Sequence, residues 1–190
     1  MATALLVSEQ RLKQWTNLDN NVRVEEITPF IIQAQDIYIQ DQLGTKFYNR
    51  IKNGVIAADL NADEALFLKD YIGPTLMQYA LYLMMPGLKY KLSDKGVLSG
   101  SSEETTQTSL DELKYLRQST LDTAEFYAER LREYLIDNPG MFPEYETPGT
   151  DGMYPNKQKP YFSGLVIPKM RNRDYYEEQC QDCDDCGNCY

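Results

Sequence analysis

Histidine is absent from this chain of 190 residues. With it go the commonest general base and a large set of metal sites, and neither a Ser-His-Asp triad nor a Cys-His pair can be assembled. Cysteine is absent as far as Gln179. Long apolar runs are missing too. The strongest, LMQYALYLMM at 76–85, is half of the roughly 20 residues that a membrane helix needs, and it reads as a buried helix. The opening MATALLVSEQ has no basic stretch, and its ALLV is too short for the apolar part of a signal peptide. A soluble protein made in the cytosol, with no membrane partner, is the expectation.

Positive charge is scarce: 19 Lys and Arg stand against 29 Asp and Glu, a net charge of −10 and a pI near 4.5. Generic binding to nucleic acid works by displacing counterions from phosphates, so this balance argues against a DNA-coating role. GSSEETT and GTDG have neither the spacing nor the lysine of a phosphate loop. Paired carboxylates such as Glu25-Glu26 and Glu103-Glu104 read as solvated charges at helix starts. No enzyme is expected, and no cofactor.

Tyrosine is plentiful, with 15 against one Trp. A tyrosine buries its ring while its hydroxyl finds a partner, which suits surfaces that become interfaces. Composition shifts near Asn138: residues 139–190 hold six of the nine prolines, five of the eleven glycines and all four cysteines. The expected organisation is a helical domain over 1–138 and an extended Pro- and Tyr-rich arm with an acidic, Cys-rich tail over 139–190.

In ITPFIIQAQDIYIQDQLG, Thr28 is the expected N-cap with Pro29 at the first helical position, flanked by Ile27 and Ile32 as a hydrophobic staple. Phe30, Ile31, Ala34, Ile37, Tyr38 and Asp41 are expected to share one face, and Gly44 to end the helix. A short helix comes next, over 45–54. Asn61 with Glu64 forms a capping box, and Gly73-Pro74 predicts a kink or a break in the segment that Pro86-Gly87 closes. Its second half, apolar on nearly all sides, is expected to be the most buried helix. Apolar and polar residues alternate over 88–102 around SDKG, which predicts a small β-hairpin. Ser109 with Glu112 caps a long helix running to about Asp137, on the order of 40 Å.

The arm contains one strand-like piece, YFSGLVIP at 161–168. An apolar strand outside a helical body must pair with something, so Tyr161, Phe162, Leu165, Val166 and Ile167 are the expected subunit or partner interface. Lys157, Lys159, Lys169, Arg171 and Arg173 flank this piece, and six acidic residues come after them before the C-terminus. Cys180, Cys183, Cys186 and Cys189 close the chain. Two C-x-x-C pairs separated only by Asp184 and Asp185 sit too close for the usual zinc arrangement, and the last gap departs from the ferredoxin run. A terminal thiol tail is the preferred reading. A small cytosolic metal-binding or redox protein using those four cysteines is the alternative.

The stretches EEITPFIIQAQDIYIQDQLGTKFYNRI (25–51), FLKDYIGPTLMQYALYLMMP (67–86) and the elements from Gly96 through Pro139 resemble the head–tail connector proteins of tailed bacteriophages, also called adaptor or head-completion proteins. The variant is similar to that of phages infecting Bacteroidetes, including crAss-like podoviruses. The resemblance implies a mainly α fold: a helical bundle with one long C-terminal helix, a small β-hairpin and an extended arm. It also implies a virion protein assembled in the host cytoplasm, a dodecameric ring bound to the portal and to the next tail protein. DNA would pass through it without sequence recognition and be retained until ejection. Loop 88–108 is expected to contact a neighbouring ring, and the arm over 139–173 to reach across to a neighbouring subunit, so that its removal leaves the body folded.

Overall fold

A computed structural model describes residues 4–93, 96–99, 109–147 and 152–157. The fold is mainly helical. After a short α1 (Glu9–Trp15), capped where Ser8 accepts from the Arg11 amide, α2 (Val24–Ala34) passes through a π turn (Gln35–Ile39) into α3 (Gln40–Ala57). A second run joins α4 (Ala62–Phe67), another π turn (Leu68–Ile72) and α5 (Gly73–Lys89). Strand β1 (Tyr90–Ser93) pairs antiparallel with β2 (Gly96–Ser99), Tyr90 opposite Ser99. The long α6 (Leu110–Asp137) and the single turn α7 (Pro143–Glu146) complete the described elements.

The start of α2 differs from expectation. The helix begins at Val24 rather than at Pro29, with Arg23 in the N-cap position and Pro29 inside it. Ile27, Ile31 and Ala34 are buried at helical spacing, Glu25 and Glu26 favour the positive end of the helix, and Pro29 stands on the exposed side. Packing of the apolar stripe therefore outweighs the loss of one backbone bond at the proline. Thr28 does not cap; its hydroxyl donates to the Val24 carbonyl at 2.9 Å.

Both π turns change which face is buried. At the first, the Gln40 amide bonds the Gln35 carbonyl, five residues back. The extra residue rotates the downstream helix by about 100°. Ile39 and Leu43 are thereby buried while Ile37 is 54% exposed, so Ile37 leaves the face it was expected to share. At the second, Gly73 N–H bonds the Leu68 carbonyl, and the helix accommodates Pro74 as a π turn within one run rather than breaking. The Lys69 carbonyl, passed over by this shift, accepts from Arg11 Nη2 at 2.9 Å. Thr75 Oγ1 donates to the Tyr71 carbonyl at 2.7 Å.

Helix α5 is the most buried, with Ile72, Leu76, Met77, Ala80 and Met84 at its inner face and along the turn before it. It does not stop at Pro86-Gly87 but runs to Lys89. Gly87 lets α2 approach: a β-carbon there would lie 2.5 Å from Phe30 Cζ. Helix α6 packs Ala124, Ala128, Leu131 and Leu135 inward, and its capping box is formed, with Glu112 accepting from the Ser109 amide at 2.8 Å.

The body does not end at Asn138. Phe142 and Tyr145 are 3% exposed and belong to the core, with the Phe142 ring 5.0 Å from Phe67 and 5.1 Å from Phe47. Chain compactness divides the protein into units 1–158 and 159–190, and the second lies outside the described residues. The Pro and Gly residues that suggested a boundary at 138 instead shape a turn that returns two aromatic rings to the core.

Candidate functional site

The residues that lead out of the body are held at a defined notch in α3. Gly44 has φ 75° and ψ 158°, a backbone conformation essentially restricted to glycine, and it interrupts the helix as the sequence suggested. The interruption leaves helix backbone groups open to an extended strap, residues 152–157. Thr45 N–H donates to the Met153 carbonyl at 2.9 Å, and the Met153 amide donates to Thr45 Oγ1 at 2.8 Å. Asn156 N–H donates to the Asp41 carbonyl at 3.0 Å. Lys46 Nζ fastens the Thr147 carbonyl at 2.7 Å, and Lys157 Nζ lies 4.7 Å from the centre of the Tyr145 ring. Gly152, at φ 117°, passes so close to Thr45 that a β-carbon would come within 2.6 Å of Thr45 Cβ.

Four tyrosines of the body are stacked in pairs. Tyr38 stacks on Tyr79 with ring centres 3.9 Å apart, and Tyr71 stacks on Tyr134 at 4.1 Å. Burial pushes the Tyr79 phenol up to about 12. Burial raises Tyr48 further, helped by its 2.9 Å hydrogen bond to Asp36 and by that carboxylate's charge. Phenols held neutral in this way are hydrogen-bond donors, not bases. Arg50 grips Glu64 through Nε and Nη2, both at 2.9 Å, and Glu64 also accepts from the Asn61 amide at 2.8 Å. That carboxylate is absorbed by a cap and an ion pair. Among the described residues no group of three or more Cys, Asp or Glu is arranged to hold a metal, and no helix is long and apolar enough to cross a membrane.

Exposed apolar residues mark the other surfaces. Val24, Pro29 and Ile32 line a shallow groove on α2. On α6, Tyr115 is 74% and Phe126 63% exposed. The expected interface residues Tyr161, Phe162, Leu165, Val166 and Ile167 lie outside the described residues, as do Cys180, Cys183, Cys186 and Cys189. The notch itself escaped sequence reading. Gly44 signalled the break, but the strap is recognised mainly through backbone atoms, which leave no signature in side-chain type.

Fold and surfaces together define a helical-body protein whose two bent helical runs and long outer helix form the body, with a chain segment clipped to its surface. The chain belongs to DUF6712, a family of unknown function, matched over residues 39–152. That span runs from the end of the first π turn to the strap's Gly152. No curated protein and no solved structure matches the chain.

Proposed function

We propose that this protein is a structural virion subunit, a head–tail connector that assembles as a ring between the portal of a phage capsid and the tail and helps retain packaged DNA. The observation that carries this reading is the order of elements. A helical run bent at Gly44, a second run containing Gly73-Pro74, strands at 90–99 and a long helix ending at Asp137 succeed one another as in the connectors that the sequence resembles. The hairpin and loop 88–108 face the adjoining ring in this reading. The arm supplies contact to a neighbouring subunit, and its reach starts after Lys157, because residues up to that point are fastened to their own body. A ring of this kind needs interfaces that close head to tail, and an extended segment laid on a neighbour is an efficient way to build them. The acidic balance of the chain suits a conduit that does not grip passing DNA.

The test is reconstitution with the portal protein of the same phage. Stable co-elution of a closed ring on the portal, seen by electron microscopy, is the expected result. A chain that neither binds portal nor occurs in purified particles would refute the proposal.

A further inference from the structure

In an unbroken α-helix the Thr45 amide would donate to the Asp41 carbonyl, four residues back. Gly44, at ψ 158°, turns these two groups apart, and the strap stands in the gap. The Met153 carbonyl accepts from Thr45 N–H at 2.9 Å, and Asn156 N–H donates to the Asp41 carbonyl at 3.0 Å. The Met153 amide adds a third bond, to Thr45 Oγ1 at 2.8 Å. The strap therefore completes α3 at its break, using backbone groups and one hydroxyl.

It adds nothing to the core. Four of the six residues over 152–157 are exposed and none is buried, with Met153 at 45% and Tyr154 at 65% exposure. Asp41 and Thr45 are themselves partly exposed, so water can replace the strap at these bonds. The turn that precedes the strap is different. Phe142 and Tyr145 lie in the core, the Thr147 amide donates to the Pro143 carbonyl at 3.0 Å, and Lys46 Nζ holds the Thr147 carbonyl. A segment without buried apolar contacts, held by solvent-accessible hydrogen bonds, opens at a fraction of the free energy of global unfolding.

We propose that the strap is a latch: residues 152–157 leave the Gly44 notch while the helical body stays folded, and this opening sets how far the arm reaches. Closed, the last fastened residue among those described is Lys157, whose Nζ lies over the Tyr145 ring. Open, it is Thr147. The ten residues gained span at most about 36 Å when extended, which brings a neighbouring subunit within range of an arm that is too short when the latch is closed. The use of the latch rests on the connector reading, whose arm it lengthens. The opening itself does not.

The experiment reads opening and assembly on the same two proteins, the full-length wild type and Thr45→Val. Valine keeps the shape of Thr45 but gives the Met153 amide no acceptor, and circular dichroism checks that the helices remain. Hydrogen exchange in low, non-denaturing urea reads the opening. In the wild type the Met153 and Asn156 amides are expected to be measurably protected, but at least about a hundredfold less than those of Ala128 and Leu131. Their protection should stay flat with urea while that of α6 falls. Thr45→Val is expected to speed exchange at both strap amides about fivefold and to leave α6 unchanged. If the open strap is the form that assembles, the variant should then need about fivefold less protein to assemble, read by native mass spectrometry over a concentration series. Strap amides that exchange as slowly as α6 with the same urea dependence, or that show no protection at all, overturn the latch. A variant whose strap exchanges faster while assembly stays at the wild-type concentration overturns its control of the arm. If neither protein assembles, alone or with portal, the connector reading fails, and the exchange result alone upholds or overturns the opening.

Discussion

Pro155 occupies the space that a side chain on Gly44 would need: its Cδ stands 2.8 Å from where a β-carbon would lie. The glycine therefore meets two demands at once, a positive φ and an open notch for the strap. Gly44→Ala is expected to cost about 1–3 kcal/mol and to release residues 152–157. Hydrogen exchange checks this: the amides of Thr45, Met153 and Asn156 should lose protection together, while those in the middle of α6 keep theirs.

The position of the true body boundary gives a pair of truncations with opposite outcomes. A chain ending at residue 158 should keep the thermal midpoint of the full-length protein. A chain ending at 138 removes the Phe142 and Tyr145 rings from the core and should unfold at much lower temperature. Within the full chain, Phe142→Ala alone is expected to cost about 3–5 kcal/mol, read by urea denaturation.

Arg50 and Glu64 form a third test. Glu64 is 6% exposed and depends on the guanidinium fork for both of its oxygens. Arg50→Ala leaves that carboxylate buried with only the Asn61 amide and is expected to cost about 2–4 kcal/mol. Arg50→Lys keeps the charge but loses the two-pronged geometry, so it should fall between wild type and the alanine variant.

Alkaline pH should loosen the fold. Tyr48 and Tyr79 are buried and titrate above their ordinary value of 10.0, Tyr79 at about 12. An unfolded chain gives up these protons first. The stability they contribute as neutral phenols is therefore complete below pH 10 and lost as pH climbs from there through the folded values. Denaturation midpoints measured from pH 8 to 11.5 should be flat and then fall, with a shallower fall in Tyr48→Phe.

Much of the helical frame could be read from residue types because its determinants are local. Asn61 with Glu64 and Ser109 with Glu112 sit at the helix starts the capping grammar assigns them, and the inward residues of α6 repeat at helical spacing. The break at Gly44 was legible for the same reason. The π turns were not. An i to i−5 bond changes the phase of a helix without changing which residues favour helix, so the exposure of Ile37 and the accommodation of Pro74 arose from tertiary packing alone. Pro29 misled because a good N-terminal signal can also occur inside a helix whose apolar stripe extends further back. The return of Phe142 and Tyr145 to the core hid behind turn residues that resemble a linker.

The connector reading stands or falls most directly on a native mass spectrum of the full-length chain, recorded alone and after mixing with its portal protein. The account predicts a closed homo-oligomeric ring, by itself or on the portal, with a mass that is an integral multiple of the 22.0 kDa subunit. A chain that remains a monomer in both samples would contradict it.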